Sequence, residues 1–141
     1  MNDLENNNLT VQIISQLRII LDLICESERE RDVQDLLAIN LDCQKRKTLT
    51  SDPYPDVEVD LLTQDFAIEV KYNTNYYSGI SQVLAQKHLY DMQNVYLIHV
   101  HDYLNDKFIN AFGTLSKELN FIGILINKKR KKLLVFNHDR T

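Results

Sequence analysis

Hydrophobic residues recur at helical spacing near the start of the chain and predict an amphipathic helix. The stripe consists of Ile13, Leu17, Ile20, Leu21 and Ile24. The Asn-rich residues 1–8 lack such a stripe and predict a frayed terminus. A second helix, or a continuation of the first after a kink, is expected over Val33 to Leu41, with Ser27 as an N-cap and Glu30 completing a capping box.

Apolar runs bounded by turn residues predict strands in the rest of the chain. Thr48 and Thr50 indicate a short first strand, after which Pro53 and Pro55 favour an extended or turn segment. The later elements are strands at 56–62 and 66–72, a helix from Ser78 to about Gln93, a strand at 95–100, a helix at 106–119, and strands at 121–126 and 133–136. This order predicts one α/β domain over residues 1–141, with a central mixed β-sheet flanked by helices.

Composition and charge narrow the function classes. Cys25 and Cys43 are too few for a disulfide framework, a zinc knuckle or an iron–sulfur cluster. The apolar segment 11–25 is broken by polar residues and resembles neither a signal peptide nor a membrane span, so we expect a cytoplasmic protein without a membrane partner. The net charge is −4, whereas proteins that coat nucleic acid nonspecifically are usually basic. Any contact with nucleic acid is therefore expected to be local.

Charged residues are predicted to meet on one face of the two longer strands. If residues 64–65 form the turn of a hairpin, paired residue numbers add up to 129, so that Asp60 faces Glu69 and Glu58 faces Lys71. Because side chains alternate along a strand, these four share one face. The opposite face is expected to carry Val57, Val59, Leu61, Ile68 and Val70.

Opposed carboxylates repel one another, and a divalent cation would relieve the repulsion. Mg²⁺ (or Mn²⁺) favours one or two carboxylates, which fits Asp60 and Glu69 together with a backbone carbonyl at Val70. Lys71 is then expected to orient an attacking water or to stabilise charge on a phosphate. The plainer alternative is a solvated hairpin face with a Glu58–Lys71 ion pair.

Asp60 followed by Ala67-Ile68-Glu69-Val70-Lys71 after a hairpin resembles the D…(D/E)xK signature of the PD-(D/E)xK nuclease superfamily. This superfamily includes archaeal Holliday-junction resolvases, restriction endonucleases and RecB-like exonucleases, and the resemblance spans roughly residues 28–100. It implies a restriction-endonuclease-like core that hydrolyses DNA phosphodiester bonds with a metal-activated water. Asp56, in a literal Pro-Asp pair, is the substitute for Asp60.

The resemblance also implies site residues on two helices. Glu30 is similar to the first-helix acid of resolvases and would complete the metal site, while its capping role is the alternative. RecB-like proteins carry a Gln-x-x-x-Tyr motif after the ExK strand, which Gln86 and Tyr90 match. Gln82 lies nearer the helix start and is expected in the catalytic site, whereas Gln86, Lys87 and Tyr90 are expected to contact nucleic acid. The alternative is an exposed polar stripe.

A basic run near the end of the chain is expected to contact backbone phosphates. It consists of Lys128, Lys129, Arg130, Lys131 and Lys132. The alternative is a solvated hairpin tip that protects a sheet edge. His99 and His101 share a strand face, but no third ligand stands at a recognisable spacing, so we predict no zinc site.

The expected function is therefore a metal-dependent nuclease, either endonuclease or exonuclease, that acts on DNA, with RNA left open. A homodimer is plausible because two-fold symmetry would present two sites to two strands. The alternative is a catalytically inactive nucleic-acid-binding or assembly protein with the same fold. The intact set of Asp60, Glu69 and Lys71 disfavours this alternative.

Overall fold

The computed structural model describes residues 3–138, which form five helices and six strands. The helices are α1 (Asp3–Ile19), α2 (Leu21–Glu26), α3 (Glu30–Leu41), α4 (Ile80–His88) and α5 (Asp106–Glu118). The strands are β1 (Gln44–Leu49), β2 (Val57–Leu62), β3 (Ala67–Tyr72), β4 (Val95–His101), β5 (Ile122–Asn127) and β6 (Lys132–Phe136).

The strands form one six-stranded mixed sheet in the order β1 to β6. β1, β2 and β3 are antiparallel neighbours, β3, β4 and β5 are parallel, and β6 returns antiparallel to β5. Parallel neighbours require a crossover connection, and α4 and α5 supply the two crossovers. The predicted α/β class with a central mixed sheet flanked by helices is confirmed.

Helices cover both faces of the sheet. One apolar cluster joins α1, α2 and α3 to the first face, and a second joins α4 and α5 to the opposite face. Every residue of β4 and β5 is buried, as expected for parallel strands enclosed on both sides. Among residues 3–138, no helix combines the length and apolar character that a membrane crossing requires.

The predicted hairpin register is confirmed, but the alternation of side chains fails at Asp60. Leu61 pairs with Ile68, as the sequence predicts. Leu61 packs in the α1–α3 cluster, whereas Val59, two residues earlier, packs in the α4–α5 cluster. The prediction that Val59 and Leu61 share a face is therefore wrong. On the neighbouring strand β1, Arg46 lies opposite Asp60, between the pairs that Lys45 and Lys47 form with β2. Its left-handed φ of 52° shows that the break in alternation extends to β1.

The N-terminal helices differ from the predicted ones. α1 begins at Asp3, so the predicted frayed terminus is wrong for residues 3–8, while residues 1 and 2 lie outside the described part. Ser27 ends α2 instead of capping α3, and its Oγ donates to the Leu23 carbonyl at 3.2 Å. Arg29 precedes α3 without a side-chain cap, so the predicted capping box with Glu30 is wrong.

Two other boundaries also differ. α4 spans Ile80–His88 rather than reaching Gln93, and it begins after Gly79, whose φ is 89°. A Cβ at Gly79 would lie 2.6 Å from Leu97 Cδ1, so only glycine fits both the backbone and the packing there. β1 is longer than the predicted segment and is a charged edge strand, a composition that discourages pairing with another chain.

Candidate active site

Two carboxylates lie where β2 and β3 separate. Backbone pairing of the two strands reaches Leu61 and Ile68, and Asp60 and Glu69 come directly after that pair. Beyond it, side chains replace the backbone ladder: Asp60 Oδ2 accepts from the Val70 N–H at 2.9 Å, and the Asp60 N–H donates to Glu69 Oε1 at 3.4 Å. Both carboxylates are thus held by the backbone of the opposite strand.

Glu69 is buried against Asp60 and has a single amide donor from α4. Glu69 is 2% exposed, and Gln86 Nε2 donates to Glu69 Oε1 at 2.6 Å. Burial, reinforced by the neighbouring Asp60 carboxylate, raises the pKa of Glu69 to about 8. In the absence of a cation, Glu69 therefore holds a proton near neutral pH and shares a hydrogen bond with Asp60.

Lys71 lies near the end of β3, two residues after Glu69. Its stem packs beside Gly79, where an added Cβ would lie 3.3 Å from both Lys71 Cγ and Cε. Its charge acts on the Glu30 carboxyl and on the His99 ring. No ion pair within residues 3–138 joins Lys71 to Glu58, which is exposed. The predicted Glu58–Lys71 pair is therefore not formed.

Glu30 brings a third carboxyl group toward this end of β3. It is the first residue of α3, is half-buried, and lies close enough to the Tyr72 backbone for its carboxylate to be stabilised by it. Burial raises the pKa of Glu30, whereas the nearby Lys71 lowers it. Since α3 has no capping box, the Glu30 side chain is available to interact electrostatically with Asp60 and Lys71.

The donor set fits a magnesium-type ion better than a closed metal cage. Among the described residues, no three His, Cys, Asp or Glu side chains converge as a metal cluster. Mg²⁺ needs only one or two carboxylates besides water and phosphate, which Asp60 and Glu69 can supply. Beside them, Gln86 Oε1 is buried without a hydrogen-bond partner in the structure and could accept from a water. Val70 contributes its N–H to Asp60.

The two glutamines of α4 stand in places different from those expected. Gln86 has no exposed surface and holds Glu69, so it is positioned for the site rather than for a nucleic-acid surface. Gln82, assigned to the catalytic site, instead accepts from Ser81 Oγ at 3.2 Å. Tyr90 donates its hydroxyl to the Pro55 carbonyl, in the segment before β2. The literal Gln-x-x-x-Tyr spacing was the signal that pointed to Gln86.

The predicted phosphate-binding cations do not form one patch. Lys87 donates to the Asn120 carbonyl just before β5, at the sheet end opposite to Lys71. Lys128 is half-buried, donates to the Tyr72 hydroxyl and lies 3.1 Å from Asp102. The other four residues of the run are exposed: Lys129, Arg130, Lys131 and Lys132. Lys131 pairs with an acid of α2, so the exposed cations do not all face one side.

A pair of neutral histidines lies next to Lys71. His99 is fully buried; its Nε2 lies 2.8 Å from the Ser78 carbonyl, and its Nδ1 lies 3.1 Å from His101 Nε2. The carbonyl can only accept, so His99 donates from Nε2 and its Nδ1 accepts from His101. Burial lowers the pKa of both rings to about 4. Sequence spacing showed that the two rings share a face but not that they bond to each other.

No family model matches the chain, and no curated protein and no solved structure matches it significantly. The PD-(D/E)xK resemblance therefore stays a prediction. It now depends on the contact between Asp60 and Glu69 and on the position of Lys71 on the same strand.

Proposed function

We propose that this protein is a divalent-metal-dependent nuclease that hydrolyses DNA phosphodiester bonds. The contact between Asp60 and Glu69 carries the proposal, because a buried carboxyl group beside a second carboxylate is costly to ionise unless a cation neutralises it. Within residues 3–138, neither carboxylate takes part in an ion pair. A divalent cation is therefore the partner that this arrangement suits.

The residues around the pair have separable roles in this proposal. Mg²⁺ or Mn²⁺ held by Asp60 and Glu69 would neutralise phosphate charge and lower the pKa of a water. Gln86 and the Val70 N–H fix the orientation of the two carboxylates, as outer partners of metal ligands do. Lys71 provides a positive charge for the phosphate and the water.

Glu30 would adjust the charge of the site rather than complete the ligand set. Its carboxyl group interacts with both Lys71 and Asp60, but it does not converge with the pair into a three-member cluster. We propose the same restriction-endonuclease-like core for the fold. A mixed sheet covered by helices on both faces, with the carboxylates on its β2–β3 hairpin, supports this assignment.

The test is cleavage of labelled linear, nicked, single-stranded, flap and four-way-junction DNA, plus RNA, with Mg²⁺, Mn²⁺ or chelator. The parent should cut at least one DNA substrate only when the metal is present. Asp60→Ala, Glu69→Ala and Lys71→Ala should each abolish cleavage while retaining the far-UV circular dichroism of the parent.

Asp56→Ala and Glu58→Ala are the matched controls, since both acids are exposed and precede or begin the same strand. They should cut at the parent rate. If all three site variants cut as the parent does, the assignment is wrong. Binding without cleavage in Mn²⁺ would instead favour the inactive nucleic-acid-binding protein.

A further inference from the structure

A groove of about 550 Å³ opens between the start of α5 and the β5–β6 hairpin. We name it the hairpin groove. Its lining includes Tyr103 and Asn105 from the segment before α5, the apolar Leu125 and Leu134, and two cations of the hairpin. Its volume falls within the roughly 300–1,000 Å³ typical of sites that take a small ligand. The groove can therefore hold a group of about nucleotide size.

The hairpin turn divides its cations between two sides. Lys128 and Lys131 pair with Asp102 and with an acid of α2, at 3.1 and 3.5 Å. Arg130 and Lys132 instead line the hairpin groove, and no ion pair within residues 3–138 neutralises either of them. A single acid, on the first turn of α5, also lines the groove: Asp106. The groove therefore carries a net positive charge.

An exposed aromatic ring lines the same groove as these cations. Tyr103 is 60% exposed, and no ring among the described residues stacks on it. Proteins that bind single-stranded nucleic acid combine aromatic faces, on which bases stack, with cations that hold the backbone. A duplex hides its base faces, so this combination suits an unpaired strand.

The groove lies on the same face of the sheet as the candidate active site. Across the ladders, Lys71 is in register with His99, His99 with Leu125, and Leu125 with Leu134. Residues in register share a face, so the groove's apolar residues continue the row that begins at Lys71. Two strand spacings amount to about 10 Å. The groove therefore begins about two strands away from Lys71 on this face of the sheet.

We propose that the hairpin groove binds one nucleotide of single-stranded DNA, with the base on Tyr103 and the phosphate at Arg130 and Lys132. The proposal rests on the proposed function for its choice of DNA as the ligand. It adds a site outside the carboxylate pair and makes an unpaired strand the preferred ligand.

The test is the fluorescence anisotropy of a labelled 12-nucleotide oligo-dT with the full chain in chelator, where no metal-dependent cleavage occurs. Tyr103→Leu should weaken binding about ten-fold, within the range for loss of one stacked base. The matched control is Tyr54→Leu, at another exposed tyrosine. Lys132→Gln should weaken binding and reduce the slope of log affinity against log salt by about 0.7.

Lys131→Gln is the matched control for charge, because it removes the same charge from the same turn on the side that faces α2. It should have a clearly smaller effect than Lys132→Gln. Equal effects of these two variants, an unchanged affinity of Tyr103→Leu, or no detectable binding by the parent would each overturn the proposal.

The outcomes separate this site from the proposed nuclease activity. If the parent binds through Tyr103 and Lys132 but cuts no substrate with Mn²⁺, the nuclease assignment fails and the groove stands. If it cuts DNA while the groove variants bind as their controls do, the groove fails and the nuclease stands.

Discussion

Replacing Glu69 with glutamine should stabilise the metal-free protein while abolishing cleavage. The glutamine keeps the size of the side chain: its carbonyl can accept from Gln86, and its amide can donate to Asp60. The substitution removes the carboxyl group that burial and Asp60 make costly to ionise. The cleavage rate should therefore fall while the free energy of unfolding rises.

The pKa of Glu69 sets the size and the sign of this effect. It rises from 4.5 to about 8 on folding, so the folded state binds the proton more tightly than the unfolded state does. The contribution of Glu69 to the stability of the parent must then fall as the pH rises from 4.5 to 8. At 1.36 kcal/mol for each pKa unit, the loss reaches about 3 kcal/mol by pH 7. Glu69→Gln should recover that amount at pH 7 and almost none at pH 4.5.

Urea unfolding in chelator, followed by circular dichroism because the chain has no Trp, measures the difference at each pH. Glu58→Gln removes one exposed carboxylate from β2 and should change stability by no more than about 0.5 kcal/mol. Added Mg²⁺ should narrow the gap, since a ligand that binds only the folded parent stabilises it. A variant less stable than the parent at pH 7, or a gap independent of pH, would refute the reasoning.

Two further predictions concern the surroundings of Lys71. Gly79→Ala should lower the free energy of unfolding by about 1–3 kcal/mol, because the backbone φ of 89° is strained for alanine and the new Cβ would clash with Leu97. Because the same Cβ would press on the Lys71 stem, the variant should lower kcat more than it raises KM. Urea unfolding measures the loss of stability, and steady-state cleavage assays measure kcat and KM. The pKa values of His99 and His101 are lowered from 6.5 to about 4, so the contribution of these two residues to stability should fall as the pH drops from 6.5 to 4. Histidine NMR titration should show both rings neutral at pH 5.5, and titration near 6.5 would contradict this.

The sequence predicted the hairpin register because burial enforces it. A shift of one residue would turn Leu61 and Ile68 out of the α1–α3 cluster and bring their charged neighbours toward it, and Leu61 pairs with Ile68 as expected. The break at Asp60 escaped prediction. It coincides with a left-handed backbone conformation at Arg46 on the neighbouring strand, and arginine carries no sequence signal for that conformation.

Helix boundaries escaped prediction where distant contacts decide them. α1 extends on the N-terminal side of Thr10 as far as Asp3. The Thr10 hydroxyl lies 2.8 Å from the hydroxyl of Tyr96, which is 86 residues away in the sequence. α4 begins after Gly79 because only glycine fits against Leu97. In the helix that begins there, Gln86 donates to Glu69, whereas Gln82 accepts from Ser81. The residue types of the site were readable in sequence, whereas the choice between two glutamines four residues apart required the packing.

Several unfavourable features coincide at one place in the fold. Glu69 is buried beside a second carboxylate, Gln86 Oε1 has no partner in the structure, and the backbone ladder between β2 and β3 stops at Asp60. Elsewhere in β3, β4 and β5, most side chains are apolar and fill the two clusters that enclose the sheet, with His99 and His101 among the buried polar exceptions. An apolar pair at these two positions would avoid the cost of burying the carboxyl groups. The concentration of that cost beside Lys71 is what a site for binding a cation and a phosphate requires, and a purely structural sheet would gain nothing from it.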